Sequence, residues 1–254
     1  MVLLVLAWLY LGFVCLAFGL GLCRLLTKTG FLANDKNPDL SILIAIGFIS
    51  LTSILQIASL FVNISLGALV FVGVSSLALL VYESKALQNI LPGWFSYLKG
   101  IWFLPVPVFL VVAAGTLLAS VHGPTNYDTG LYHAQSIQWI SKFGLVIGQG
   151  LVITRSCFNS SFFIISALTD FRFINGQAIF PVNGFLCLLF FATASRFVFS
   201  KNLKERFTGI LTVISAYLFN EYFTYHYAVG SPVPDIAVAL LTWMLFFNFL
   251  SIVG

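Results

Sequence analysis

The sequence predicts an all-helical protein that crosses a membrane several times. Two features of composition and one of pattern carry that prediction. Of 254 residues, 60% are hydrophobic and only 8% are charged. Mean hydropathy is +1.03. Apolar runs recur at close to twenty residues, the length a helix needs to cross a hydrocarbon core. A soluble domain carries about a quarter charged residues, so a soluble enzyme is excluded. Disorder and a secreted disulfide scaffold are excluded on the same composition. The ten-residue alternation of a membrane barrel does not occur.

The elements follow in order. The first apolar run, Val2–Leu22, has no basic start and no small-residue cleavage site, so it reads as a retained span. Further spans are predicted at Leu40–Val62, Leu66–Tyr82 and Ile101–Val121. A long connection covers residues 122–173. Three more spans are expected at Gly176–Phe199, Phe207–Phe223 and Asp235–Val253. The chain is thus read as a single membrane domain over residues 1–254. It comprises a four-span bundle (1–121), an outer loop with two interfacial helices (122–173) and three closing spans (174–254). The last span stops at Gly254 with no basic anchor behind it, which reads as the N-terminal portion of a longer chain.

Orientation follows from the basic residues. Loops on one side hold nine: Arg24, Lys28, Lys36, Lys85, Lys99, Arg196, Lys201, Lys204 and Arg206. The other side holds three: Lys142, Arg155 and Arg172. The positive-inside rule makes the first side cytoplasmic and places the N-terminus outside. With these elements the net charge of +4 is too scattered for a nucleic-acid footprint. The three histidines, with Asp128, Asp170, Glu221 and Asp235, all fall on the outer side.

The outer loop is the longest connection, and long ordered loops are usually functional. Within it, Thr129–Phe143 reads as an amphipathic helix whose aromatic face, with Tyr132, His133, Trp139 and Phe143, suits the membrane interface. The nine-residue apolar run Ser160–Leu168 is too short to span and reads as a second interfacial or re-entrant helix.

The densest chemistry is Asn126-Tyr127-Asp128-Thr129-Gly130-Leu131-Tyr132-His133. Asp128 has the chemistry to accept a proton from an attacking hydroxyl. It equally suits capping the helix that follows. His133 reads either as a supporting catalytic group or as an aromatic-face residue. Arg155 has the planar fork that clamps a phosphate, and Asn159 and nearby serines stand beside it. Contact with lipid headgroups is its other reading. Arg172 can serve an anion or pair with Asp170. Asp235 opens the last span behind Ser231-Pro232-Val233-Pro234, as a helix-start acid or a second carboxylate of the site. Glu221, among tyrosines near the end of the sixth span, is a candidate for the bundle interior. No metal-ligand spacing of Cys and His is present among the four cysteines.

The run from Tyr127 through His133, then Ile137-Gln138-Trp139-Ile140, the Gly144-Leu145-Val146 stretch, and Arg155 with Phe158-Asn159-Ser160-Ser161 resembles an uncharacterised bacterial family of large multi-pass membrane proteins. That family is similar to the GT-C superfamily of glycosyltransferases that use polyprenyl-phosphate sugars. The resemblance covers about residues 121–170, and the acidic loop here follows four spans instead of one. It implies an enzyme of the bacterial inner membrane. Such an enzyme takes a lipid-phosphate-linked sugar as donor and a cell-surface glycan or lipid as acceptor; whether a divalent metal takes part stays open. Asp128, His133 and Asp235 are the catalytic candidates. Tyr127, Tyr132, Arg155, Asn159, Arg172 and Glu221 are the substrate-binding ones. A flippase for lipid-linked saccharides and a non-catalytic partner in glycan assembly are the alternatives.

Overall fold

The computed structural model describes residues 1–31, 39–90, 105–124, 126–152, 154–157, 160–224 and 228–253. Every regular element among them is helical. Helix α1 runs Val2–Lys28, α2 Leu40–Ala58 and α3 Leu66–Tyr82. The short helix α4, Ser84–Ile90, bends away from α3 by 75°. Helix α5 is Pro105–Val121. In the long connection lie α6 (Ala134–Phe143), α7 (Gln149–Val152), α8 (Ser161–Leu168) and α9 (Arg172–Asn175). Helices α10 (Val182–Val198), α11 (Leu203–Thr224) and α12 (Pro234–Val253) complete the chain.

All seven predicted spans coincide with helices, but their lengths change the span count. Among the described residues, α1 and α2 alone are single helices long and apolar enough to cross a membrane. The bent α3–α4 pair makes a third if it is one span. At 1.5 Å per residue, the 17 residues of α3, α5 or α10 reach roughly 25 Å, short of a ~30 Å core. Among the described residues, length and composition together support two or three spans and not the expected seven.

Helices α1 and α2 form the most extensive helix contact in the molecule. Glycine makes it that close. A Cβ on Gly47 would collide with the Cys15 carbonyl oxygen, and one on Gly19 with that of Leu43. Without side chains at the crossing, the two backbones touch and pack through dispersion contacts. Tyr10 donates to the Leu69 carbonyl oxygen at 2.6 Å and ties α3 to the same helix.

The helix ends sort into two groups. At one end, Arg24 in the last two turns of α1 meets Glu83 after α3 at 2.7 Å, and Arg196 on α10 meets Asp39 before α2 at 2.7 Å. At the other, Trp8 Nε1 donates to the Pro181 carbonyl oxygen just before α10, at 2.9 Å. Asn183 donates to the carbonyl oxygens of Ser231 and Val233, just before α12. We call these the basic end and the loop end.

In the long connection helix α6 lies against α8. His133, Ser136, Ile137 and Ile140, all on its supposed lipid face, are buried. Every residue of α8 from Phe162 to Leu168 is buried as well. A run too short to span has found its apolar partner inside the protein.

Candidate functional site

The site is built on the start of the long connection. Residues Thr129–His133 wind as a π-helical turn, closed by the Ala134 N–H donating to the Thr129 carbonyl oxygen. Such wide turns are rare and are frequent at functional sites. The turn leads directly into α6, whose C-terminus is pinned at Gly144. There the backbone has φ +74, and a Cβ would lie 2.7 Å from the Ser59 carbonyl oxygen. Leu145 N–H donates to that same oxygen at 2.7 Å, and Ile64 N–H donates to the Ile140 carbonyl oxygen at 3.1 Å. The connection is thereby fixed to the turn between α2 and α3.

Asp128 stands just ahead of the π turn. Its carboxylate makes no capping bond to the turn; instead Arg155 Nη1 donates to Oδ1 at 3.5 Å. The pair joins residues 27 apart in sequence. Both side chains are about half exposed, 44% for Asp128 and 53% for Arg155. An exposed pair at that distance contributes little stability, about 0–1 kcal/mol. Its partners are therefore free to exchange each other for a ligand at small cost.

Tyr132 and His133 pack ring to ring at 4.3 Å, edge on, and both face Phe163 of α8, at 6.4 and 5.1 Å. Burial raises the Tyr132 phenol above its ordinary pKa, and the charges of Asp128 and Asp235 push the same way, while Arg155 opposes them. Burial holds the His133 imidazole below its ordinary value, against the pull of Asp128 and Asp235. Asp235, exposed in the first turn of α12, thus lies within electrostatic reach of both rings. Asp128 and Arg155, far apart in sequence, meet directly, and the charge of Asp235 from a third segment is felt at the neighbouring rings.

The other candidates divide. Tyr127 is exposed beside Asp128. Arg172 Nε lies 3.6 Å from Asp170 Oδ2, which matches the pairing alternative. Asp170 is buried, and burial raises its carboxyl pKa against the neighbouring Arg172. Phe171 between them has a left-handed backbone, φ 45, a strained conformation for a side chain of that size. Glu221 lies on α11, its side chain outside the described residues, as is Asn159 entirely. Among the described residues no cluster of three or more His, Cys, Asp or Glu side chains could hold a metal.

One residue was not singled out by its sequence. Thr129 is buried at 2% exposure, four positions before His133 on the π turn. Its spacing from His133 was the available signal, since positions four apart share a helix face.

The family model described as Domain of unknown function (DUF8201) matches residues 1–253, and the chain belongs to that family. No curated protein and no solved structure matches the chain.

Proposed function

We propose that this DUF8201 protein is a membrane glycosyltransferase of GT-C-like layout. In this reading it moves a sugar from a lipid-phosphate carrier to a hydroxyl on a cell-surface glycan or lipid. The observation that carries the reading is the loose Asp128–Arg155 pair, with Tyr132, His133 and Asp235 gathered round it. A carboxylate and a guanidinium side by side match the two charges such a transfer develops. The acceptor oxygen attacks the sugar's anomeric carbon and gives its proton to Asp128. The bond from that carbon to the phosphate oxygen breaks, and the phosphate leaves with the electron pair. Arg155 meets the phosphate with two parallel N–H donors. Asp235 and His133 support the arrangement.

In the same reading α1, α2 and the α3–α4 pair cross the bacterial inner membrane, the shorter apolar helices complete the bundle, and the loop end faces outward. The basic residues at the opposite end support that orientation.

Asp128→Asn tests the reaction. The exchange keeps shape and removes the proton acceptor. Protein that inserts normally should lose roughly 100-fold or more in a surface-glycan assay. Full activity in that variant would remove the glycosyltransferase reading.

A further inference from the structure

The polar atoms of the π turn are not accounted for by the Asp128–Arg155 pair. His133 is 2% exposed, yet neither Nδ1 nor Nε2 has a hydrogen-bond partner. Thr129 Oγ1 is equally buried and equally unpartnered. Helical threonines can bond back to a carbonyl oxygen one turn earlier, as Thr52, Thr193 and Thr212 do here. Thr129 opens the turn and makes no such bond. Each buried polar group left without a partner costs about 1–3 kcal/mol. Three such atoms on two neighbouring residues concentrate that cost at one point.

We propose that Thr129 and His133 form a binding subsite for an uncharged, hydroxyl-bearing ligand, of which a sugar ring is the fitting class. This rests on the glycosyltransferase reading and names the part of the site that grips the transferred or accepting sugar. Neutral imidazole offers one donor and one acceptor, and the threonine hydroxyl offers both. Hydroxyls complement that set atom for atom. A net charge does not, because it would be desolvated there without a counter-charge in contact. The rings of Tyr132 and Phe163 pack against the His133 ring and hold the imidazole in place. The division of labour is then clear. Asp128 and Arg155 hold the charges of the reaction, and the π turn holds the neutral part of the substrate.

The test uses stability, which an ordinary structural hydroxyl would move the other way. Thr129→Val keeps the shape and deletes the unpartnered hydroxyl. In purified full-length protein it should raise Tm by roughly 2–4 °C, the shift expected for removing a penalty near 1 kcal/mol. The same variant should lose at least tenfold in the surface-glycan assay, and Thr129→Ser should restore activity. A fall in Tm for Thr129→Val would show that the hydroxyl is satisfied in the fold and would overturn the proposal. A raised Tm with full activity would overturn it too, provided Asp128→Asn is inactive in the same assay. If both variants are fully active, it is the glycosyltransferase reading that fails.

Discussion

The two ends of the helix bundle treat charge in opposite ways. At the basic end, acids and guanidinium groups satisfy each other. Glu83, only 5% exposed, accepts from Arg24 at 2.7 Å, and the same guanidinium lies 4.5 Å from the centre of the Tyr82 ring. Asp39 pairs with Arg196 at 2.7 Å and also caps α2 by accepting from Ser41 N–H. At the loop end the Asp128–Arg155 pair is longer and exposed, while His133 and Thr129 are buried without partners. The basic end uses its charged groups to hold helices together. At the loop end Trp8 and Asn183 do that work, while Asp128, Arg155, Thr129 and His133 stay available, at a cost in stability. Local rules are typically broken at functional sites and offset elsewhere, and here the offset lies at the opposite end and in the α1–α2 contact.

Three experiments would break or sharpen this contrast. The largest effect should come from the scaffold that both ends share. Gly47→Val places a branched side chain where backbone meets backbone and should cost at least roughly 3 kcal/mol. The yield of monodisperse protein and its Tm would report it, and a well-folded variant would show that α1 and α2 need not touch.

Next in size is the contrast between two aspartates. Asp39→Ala removes a helix cap together with an ion pair and should cost about 1–2 kcal/mol, read as a lowered Tm. Asp128→Asn should change stability by less than about 0.5 kcal/mol, because its pair is exposed and no cap bond is lost. Equal losses at the two positions would erase the distinction between a structural and a chemical end.

The smallest effect concerns pH. His133 has a folded pKa depressed below its ordinary 6.5 by burial. As pH falls, the unfolded chain binds the proton before the folded one does. The contribution is therefore complete above about 6.5 and is lost as pH falls towards and through the lower folded value. His133→Phe removes the titration, so its Tm advantage over the native protein should grow as pH is lowered from 7 towards 5. A constant difference across that range would mean that the imidazole protonates as easily in the fold as outside it.

Much of the architecture was legible before any coordinates. The positions of the apolar helices follow from run length, and the sorting of Arg24, Asp39, Glu83 and Arg196 to one end follows from counting loops. Length could not decide between two ways for an apolar face to escape water. Residues 160–168 are too short to span and read as interfacial or re-entrant; the fold buries Phe162–Leu168. Asp128 and Arg155 were both recognised by residue type, but their contact was not, since 26 residues of chain between them fix no distance. Thr129 escaped notice because its four-residue spacing from His133 is a weak signal until its hydroxyl is seen to lack a partner.

By itself the sequence determined the helical class, the helix positions, the two-ended distribution of charge and the short set of loop-end residues with chemistry to offer. These depend on hydrophobic length and local spacing, which are properties of contiguous chain. Tertiary structure alone decided how many helices are long enough to cross, that α6 and α8 face each other, and that Asp128 and Arg155 meet beside a π turn. Ion pairs, hydrogen bonds and van der Waals contacts act over a few ångströms, and only packing between distant segments brings atoms within that range.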